Sequence, residues 1–179
     1  DKQQFNEDIS GWNVSNVINM ENMFYSTNIQ RNLEFNQDIG NWDVSNVDNM
    51  ENMFRVSKFN QPIGNWNVSN VKNMTGMLYS AESFNQDISN WNVGNVTNMR
   101  EMFFNTITFN KPLNSWDVSN VTDMISMFAY TKAFNQPLNS WNVSKVTGMD
   151  SMFRNSIFNQ DISTWNVSNV LTISYMFFY

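Results

Sequence analysis

Cysteine and histidine are both absent from this chain of 179 residues. Without cysteine there is no disulfide framework and no thiolate metal site, and the redox compartment stays open. With neither residue present no nucleophile–base set can be assembled, and a Ser-Lys pair such as Ser144-Lys145 carries no signature of its own. Basic residues are scarce as well, ten Lys and Arg against sixteen Asp and Glu, for a net charge of -6 and a pI near 4.4. Phosphate recognition needs a Lys/Arg surface, so nucleic acid is excluded as a partner and anionic membranes are disfavoured. There is no Gly-rich phosphate loop, no apolar run near the roughly 20 residues of a membrane span, and no signal peptide. Asp8, Asp38, Asp87 and Asp161 lack the dense carboxylate spacing of a Ca²⁺ loop. The sequence thus implies no metal and no cofactor, and with no site to argue from it reads as non-enzymatic.

What is present is a repeat. The seven tryptophans Trp12, Trp42, Trp66, Trp91, Trp116, Trp141 and Trp165 recur about every 25 residues, in the range of stacked arrays. A Phe-Asn pair precedes each Trp by seven residues, and its asparagines are Asn6, Asn36, Asn60, Asn85, Asn110, Asn135 and Asn159. A Val stands two and five residues after each Trp, and all 13 methionines fall in two following columns that only Ile173 interrupts. Roughly a fifth of the chain is asparagine, but at fixed offsets from Trp, Val and Met, as a folded repeat requires and a low-complexity tract does not. A single unit of this size cannot bury its apolar face, whereas three or more stacked units share a core.

The pattern predicts the structure of each unit. Around Trp91-Asn92-Val93 the alternation of apolar and polar residues predicts a short half-buried strand, with Trp and Val inward. Val96, Met99, Met102 and Phe103, at offsets of zero, three, six and seven, predict one face of a short α or 3₁₀ helix, with Ser119 and Ser144 as N-caps of such segments. The whole range 1–179 is expected to be one leucine-rich-repeat-like solenoid, a parallel β-sheet on one side and short helical segments on the other, cut from a longer chain. The tryptophans are assigned to the core, each indole N–H needing a stacked Asn or a carbonyl as acceptor. The Phe-Asn asparagines are assigned to an inward ladder at a corner. Asp8, Asp38, Asp87 and Asp161 share their position with Pro62, Pro112 and Pro137, which makes it a bend. The link from Tyr25 to Glu34 is longer than its counterparts and stands out as an insertion.

Written F-N-Q-[DP]-[IL]-x-x-W-[ND]-V-S-N-V-x-N-M-x-x-M-F, the unit resembles the surface-protein repeats grouped as BspA-like leucine-rich repeats, in particular the DUF285 or mycoplasma-lipoprotein type. Ile88-x-x-Trp91-x-Val93 stands where such repeats carry L-x-x-L-x-L. The resemblance covers nearly the whole chain and implies an extracellular or cell-surface location and a role in adhesion or protein binding. The lipobox cysteine, signal segment and cap of such proteins are missing here.

Two outward columns are the candidate binding strip. One holds Asn13, Asp43, Asn67, Asn92, Asp117, Asn142 and Asn166, and its neighbour holds Ser45, Ser69, Ser119 and Ser144, with Ser15, Gly94 and Ser168 completing the row. On a parallel sheet these would repeat every ~4.8 Å and offer amides and hydroxyls to a protein or glycan. The rival readings are a passive spacer whose ends stack on further repeats of the same chain, and an ordered-water or ice-binding face. Sequons at Asn13, Asn67, Asn73, Asn95, Asn120, Asn142 and Asn166 read as by-products of the repeated Asn-Val-Ser/Thr motif.

Overall fold

The computed structural model describes residues 4–28 and 32–179. Seven units, beginning at Phe5, Phe35, Phe59, Phe84, Phe109, Phe134 and Phe158, lie one on the next in chain order. Adjacent Phe rings of that first column are parallel, with centroids 5.9–6.4 Å apart from one unit to the next. One hydrophobic core runs from Ile9 to Met176 without a break.

The secondary structure differs from the expectation. Among the described residues there is almost no helix and almost no strand; the sheet-like pairing between units is limited to isolated parallel bridges, such as Asn98 with Asp123 and Asp123 with Gly148. The expected parallel β-sheet leucine-rich-repeat-like solenoid with helical segments is therefore overturned: the chain is a stack of turns. Each coil changes direction about every three residues. Around Trp91 the alternation is real, since Trp91 and Val93 are buried and Asn92 exposed. Yet the backbone curls instead of extending, because Trp91 N–H bonds Ile88 O, Asn92 Oδ1 receives Gly94 N–H, and Val96 N–H bonds Val93 O. A two-residue period over so short a span fits a pair of tight turns as well as a strand.

The helical expectation fails for a related reason. Val96, Met99, Met102 and Phe103 are all fully buried, so the stripe is correct. A spacing of three, however, suits successive three-residue turns as well as a helix. Glu101 sits at φ 57°, and its equivalents Asn22, Asn52, Gly76, Ser126, Ser151 and Tyr175 share the left-handed region. With Met102 N–H bonded to Met99 O, that is the geometry of a turn whose third residue favours Gly or Asn, and it ends a right-handed helix. The freed N–H groups of Met99, Glu101, Phe103 and Asn105 reach sideways to the carbonyls of Asp123, Ile125, Met127 and Ala129 in the next unit. Ser119 and Ser144 cap no helix; their own N–H groups are held by Asp117 and Asn142.

Packing follows the columns. Trp42, Trp66, Trp91, Trp116, Trp141 and Trp165 are buried, and each indole Nε1–H donates to a carbonyl of the preceding unit, at 2.9–3.3 Å, on Ile9, Ile39, Ile63, Ile88, Leu113 and Leu138 in turn. Trp12 departs from its core assignment: no unit precedes it among the described residues, and it is 55% exposed. A second Phe column joins Phe103, Phe128, Phe153 and Phe177 at 5.4–5.8 Å. Of the inserted link, Ser26 N–H bonds Arg55 O and Leu33 N–H bonds Val56 O, while 29–31 lie outside the described residues.

Candidate functional site

Every side of the coil carries short polar side chains, and the local chemistry decides which of them remain available. In the column assigned to partner binding, Asn13, Asp43, Asn67, Asn92, Asp117, Asn142 and Asn166 are all exposed. Each nevertheless spends one oxygen on its own backbone: Oδ1 accepts the N–H two residues on, from Ser15, Ser45, Ser69, Gly94, Ser119, Ser144 and Ser168, at 3.0–3.2 Å. These are Asx turns, in which the side chain imitates a backbone carbonyl. In unit 1 and unit 3 the Ser15 and Ser69 hydroxyls donate to the same Oδ1. Ser45, Ser69, Ser119 and Ser144 are half-buried beside the strip. Hydrogen bonds from Ser45 hold the Asp43 carboxyl below the usual carboxylate range, and those from Ser119 do the same for Asp117. Asp8, Asp87 and Asp161 are lowered in the same manner by Ser10, Ser89 and Ser163. The strip is thus brought together on one face, but it is largely occupied in shaping the coil.

The Phe-Asn asparagines form a ladder of a particular kind. Oδ1 of Asn6, Asn36, Asn60, Asn85, Asn110 and Asn135 accepts the backbone N–H of the next asparagine in the column, ending at Asn159, at 2.8–3.1 Å. Rungs run from side chain to backbone, and the residues are half-buried or exposed, not turned inward. Gln37, Gln61 and Gln86 add bonds from Nε2 to the preceding Asn carbonyl. A third set runs from Asn46, Asn70, Asn95, Asn120 and Asn169 Nδ2 to the carbonyl of Ser15, Ser45, Ser69, Gly94 and Ser144. At the equivalent place in unit 6, Lys145 Nζ bonds Asn120 Oδ1.

The surface that sequence reasoning missed lies beside the left-handed turns. Arg55 lies over the Tyr79 ring at 3.5 Å, Tyr79 stacks on Phe104 at 4.4 Å, and Phe104 meets Tyr130 at 5.1 Å. Arg154 follows, 5.9 Å from the Tyr130 ring and 5.3 Å from Phe178. This stripe of planar side chains crosses units 2 to 7. Arg55 also reaches Glu101 at 3.5 Å, which fixes its guanidinium across the Tyr79 ring. Burial pushes the Tyr79 phenol up, against the opposing pull of Arg55. Arg55, Tyr79, Phe104, Tyr130 and Arg154 are half-buried, and Phe178 at the end of the stripe is exposed. Because they lie outside the invariant Trp, Val, Met and Phe columns, the repeat alone does not mark them. The available signal was that aromatic or Arg side chains follow the second Phe or Leu in most units, as Tyr25, Arg55, Tyr79, Phe104 and Arg154 do.

Among the described residues no group of three or more Asp or Glu gathers as a cation site, and no helix is long and apolar enough to cross a membrane.

A family model described as "Mycoplasma protein of unknown function, DUF285" matches residues 1–33, 26–133 and 108–179, which together span the chain. No curated protein and no solved structure matches.

Proposed function

The chain belongs to the DUF285 family, and from that membership and the surfaces above we propose that it is a non-enzymatic recognition module, displayed outside the cell, that binds a protein or glycan partner. The observation that carries this reading is the arginine–aromatic stripe from Arg55 to Arg154. Tyr, Phe and Arg are the residue types that dominate binding energy in protein interfaces, because they bring large contact area and lose little rotamer freedom when already packed. Here the stacking has immobilised them in advance, so a partner gains their edges at low entropic cost. The Asn/Asp strip contributes by holding the turns. Surface display rests on the resemblance to BspA-like surface repeats.

The test is an array of glycans and extracellular proteins probed with the labelled chain and two triple variants. Tyr79→Ser, Phe104→Ser, Tyr130→Asn removes the stripe and keeps a residue suited to positive φ at position 130. Asn92→Arg, Asp117→Arg, Asn142→Arg obstructs the strip. Binding lost in the first and kept in the second supports the stripe; the opposite result moves the site to the strip. A parent chain that binds nothing specifically sinks recognition in favour of a passive spacer.

A further inference from the structure

The column just before the tryptophans divides the stack in two. In units 5, 6 and 7 it holds Ser115, Ser140 and Thr164, and each is tied to the coil before it: Ser115 Oγ donates to Ser89 O, Ser140 Oγ receives Asn114 Nδ2–H, and Thr164 Oγ1 donates to Asn139 O. In units 2, 3 and 4 it holds Asn41, Asn65 and Asn90, which are exposed and whose carboxamides bond nothing among the described residues. The other asparagine columns hold turns or bridge coils. Units 2, 3 and 4 each have a coil on either side, so these free groups belong to the interior of the stack.

Beside them the surface is hollow. An open trough of about 410 Å³ crosses units 2 to 4, from Asp38 to Asn90. Its coils approach closely, since a Cβ on Gly40 would lie 2.5 Å from Pro62 O and one on Gly64 2.5 Å from Asp87 O. Any side chain at either position would push these coils apart. Asp38 and Asp87 also line the trough, each with Oδ1 committed to the N–H two residues on. Gln86 is held in its wall by two bonds to Asn60. The Phe35 and Phe59 rings differ in orientation by 3° and those of Phe59 and Phe84 by 14°, so the three coils follow one another with little twist.

Such a surface selects its ligand by hydrogen bonding. The lining holds no aromatic ring, no Arg and no Lys, so it lacks what anchors a protein partner and what pairs with an acidic ligand. A carboxamide offers two donors and an acceptor oxygen and an ionised carboxylate only accepts, a set that complements hydroxyl groups, which both give and take. Free groups recurring once per coil suit a ligand that itself repeats, and β-linkage keeps a hexose chain extended, as a nearly straight row requires. We propose that the trough binds a neutral, unbranched glycan of β-linked hexoses lying along the stack, with Asn41, Asn65 and Asn90 each bonding hydroxyls of one sugar and Asp38 and Asp87 accepting from others. One sugar alone exchanges water bonds for protein bonds with little net gain; the chain binds because successive sugars engage successive coils. This site is separate from the arginine–aromatic stripe and does not depend on what the stripe binds.

The test is titration of the chain with a hexamer of β-1,4-linked glucose, followed by calorimetry and by the NMR signals of the asparagine side-chain amides, with thermal melting to confirm that each variant folds. The Nδ2 signals of Asn41, Asn65 and Asn90 should shift, and the hexamer should bind more tightly than the disaccharide. Asn65→Ser, a residue that the same column accepts at Ser115 and Ser140, should weaken binding about fivefold, the equivalent of one net hydrogen bond. The triple variant Asn41→Ser, Asn65→Ser, Asn90→Ser should melt with the parent and show no binding, while Tyr79→Ser, Phe104→Ser, Tyr130→Asn should bind the hexamer as the parent does. A hexamer of α-1,4-linked glucose, which coils, cannot engage three coils at once and should bind about tenfold more weakly. No binding of the β-linked hexamer up to about 5 mM, binding kept by the triple serine variant, binding lost with the stripe, or a preference for the α-linked chain would each overturn the proposal.

Discussion

An interior coil and a terminal coil of this molecule have nearly the same sequence and very different physics. Trp91 and Trp12 occupy the same column, followed by the same Asn-Val, but Trp91 is 3% exposed and Trp12 55%. Asn85 and Asn159 likewise share a column, yet Asn85 Oδ1 receives Asn110 N–H while Asn159 Oδ1 receives none among the described residues. The difference teaches that a unit acquires its structure from its neighbours. Its turns close within the coil, but the N–H groups between them, such as those of Met99, Glu101, Phe103 and Asn105, are bonded across the junction, so burial and half of the bonding come from the neighbours.

Matched substitutions at equivalent positions sharpen that comparison. The largest contrast is expected for tryptophan. Trp91→Ala removes a buried indole and its bond to Ile63 O, and should cost about 3–5 kcal/mol in chemical denaturation. Trp12→Ala should cost under about 1 kcal/mol, since most of its area is already in water; equal losses would remove the distinction between inner and outer coils. Next comes the asparagine column, where Asn85→Ala leaves Asn110 N–H without its acceptor and should cost about 1–2 kcal/mol. Asn159→Ala should be close to neutral by the same assay.

A smaller effect of opposite sign is expected in the left-handed column. Asn22 and Asn52 suit positive φ, whereas Ser126 at φ 55° does not. Ser126→Asn should stabilise by about 0.5 kcal/mol, and a loss instead would show that the turn tolerates serine without strain. The smallest change at neutral pH is expected for Asp43→Asn with Asp117→Asn, because asparagine already makes the same turn at Asn67 and Asn92. The effect should emerge in acid. Both carboxyls are lowered by serine hydrogen bonds, so their contribution is present at neutral pH and fades as pH falls below about 4 through their folded values. The double variant should therefore lose less of its thermal midpoint between pH 5 and pH 3 than the parent does.

The repeat, its columns and the burial of Trp, Val, Met and Phe were legible because burial depends on which residues recur, and that is written in spacing. The strand and helix were not, because spacings of two and three over five to eight residues are shared by extended strands, helices and chains of tight turns. What decides among these is the fate of the backbone N–H groups. The asparagines and aspartates carried that information: Asn92, Asp87 and Asn98 each bind the N–H two residues on, which commits the coil to turns. Their frequency suggested a polar surface when it reported a backbone held by side chains. The arginine–aromatic stripe was hidden for another reason, since Tyr79, Phe104 and Tyr130 do not share one offset from their tryptophans and are joined only by stacking.

Hydrogen exchange on the chain tests the central claim most directly. If junctions hold the coil, the Glu101 amide, bonded to Ile125 O, exchanges only through opening of the stack, while the Tyr175 amide, equivalent in the turn but without a following coil, exchanges almost as fast as in an unfolded peptide. Equal protection at the two sites would mean that each unit secures its own backbone and would contradict the account.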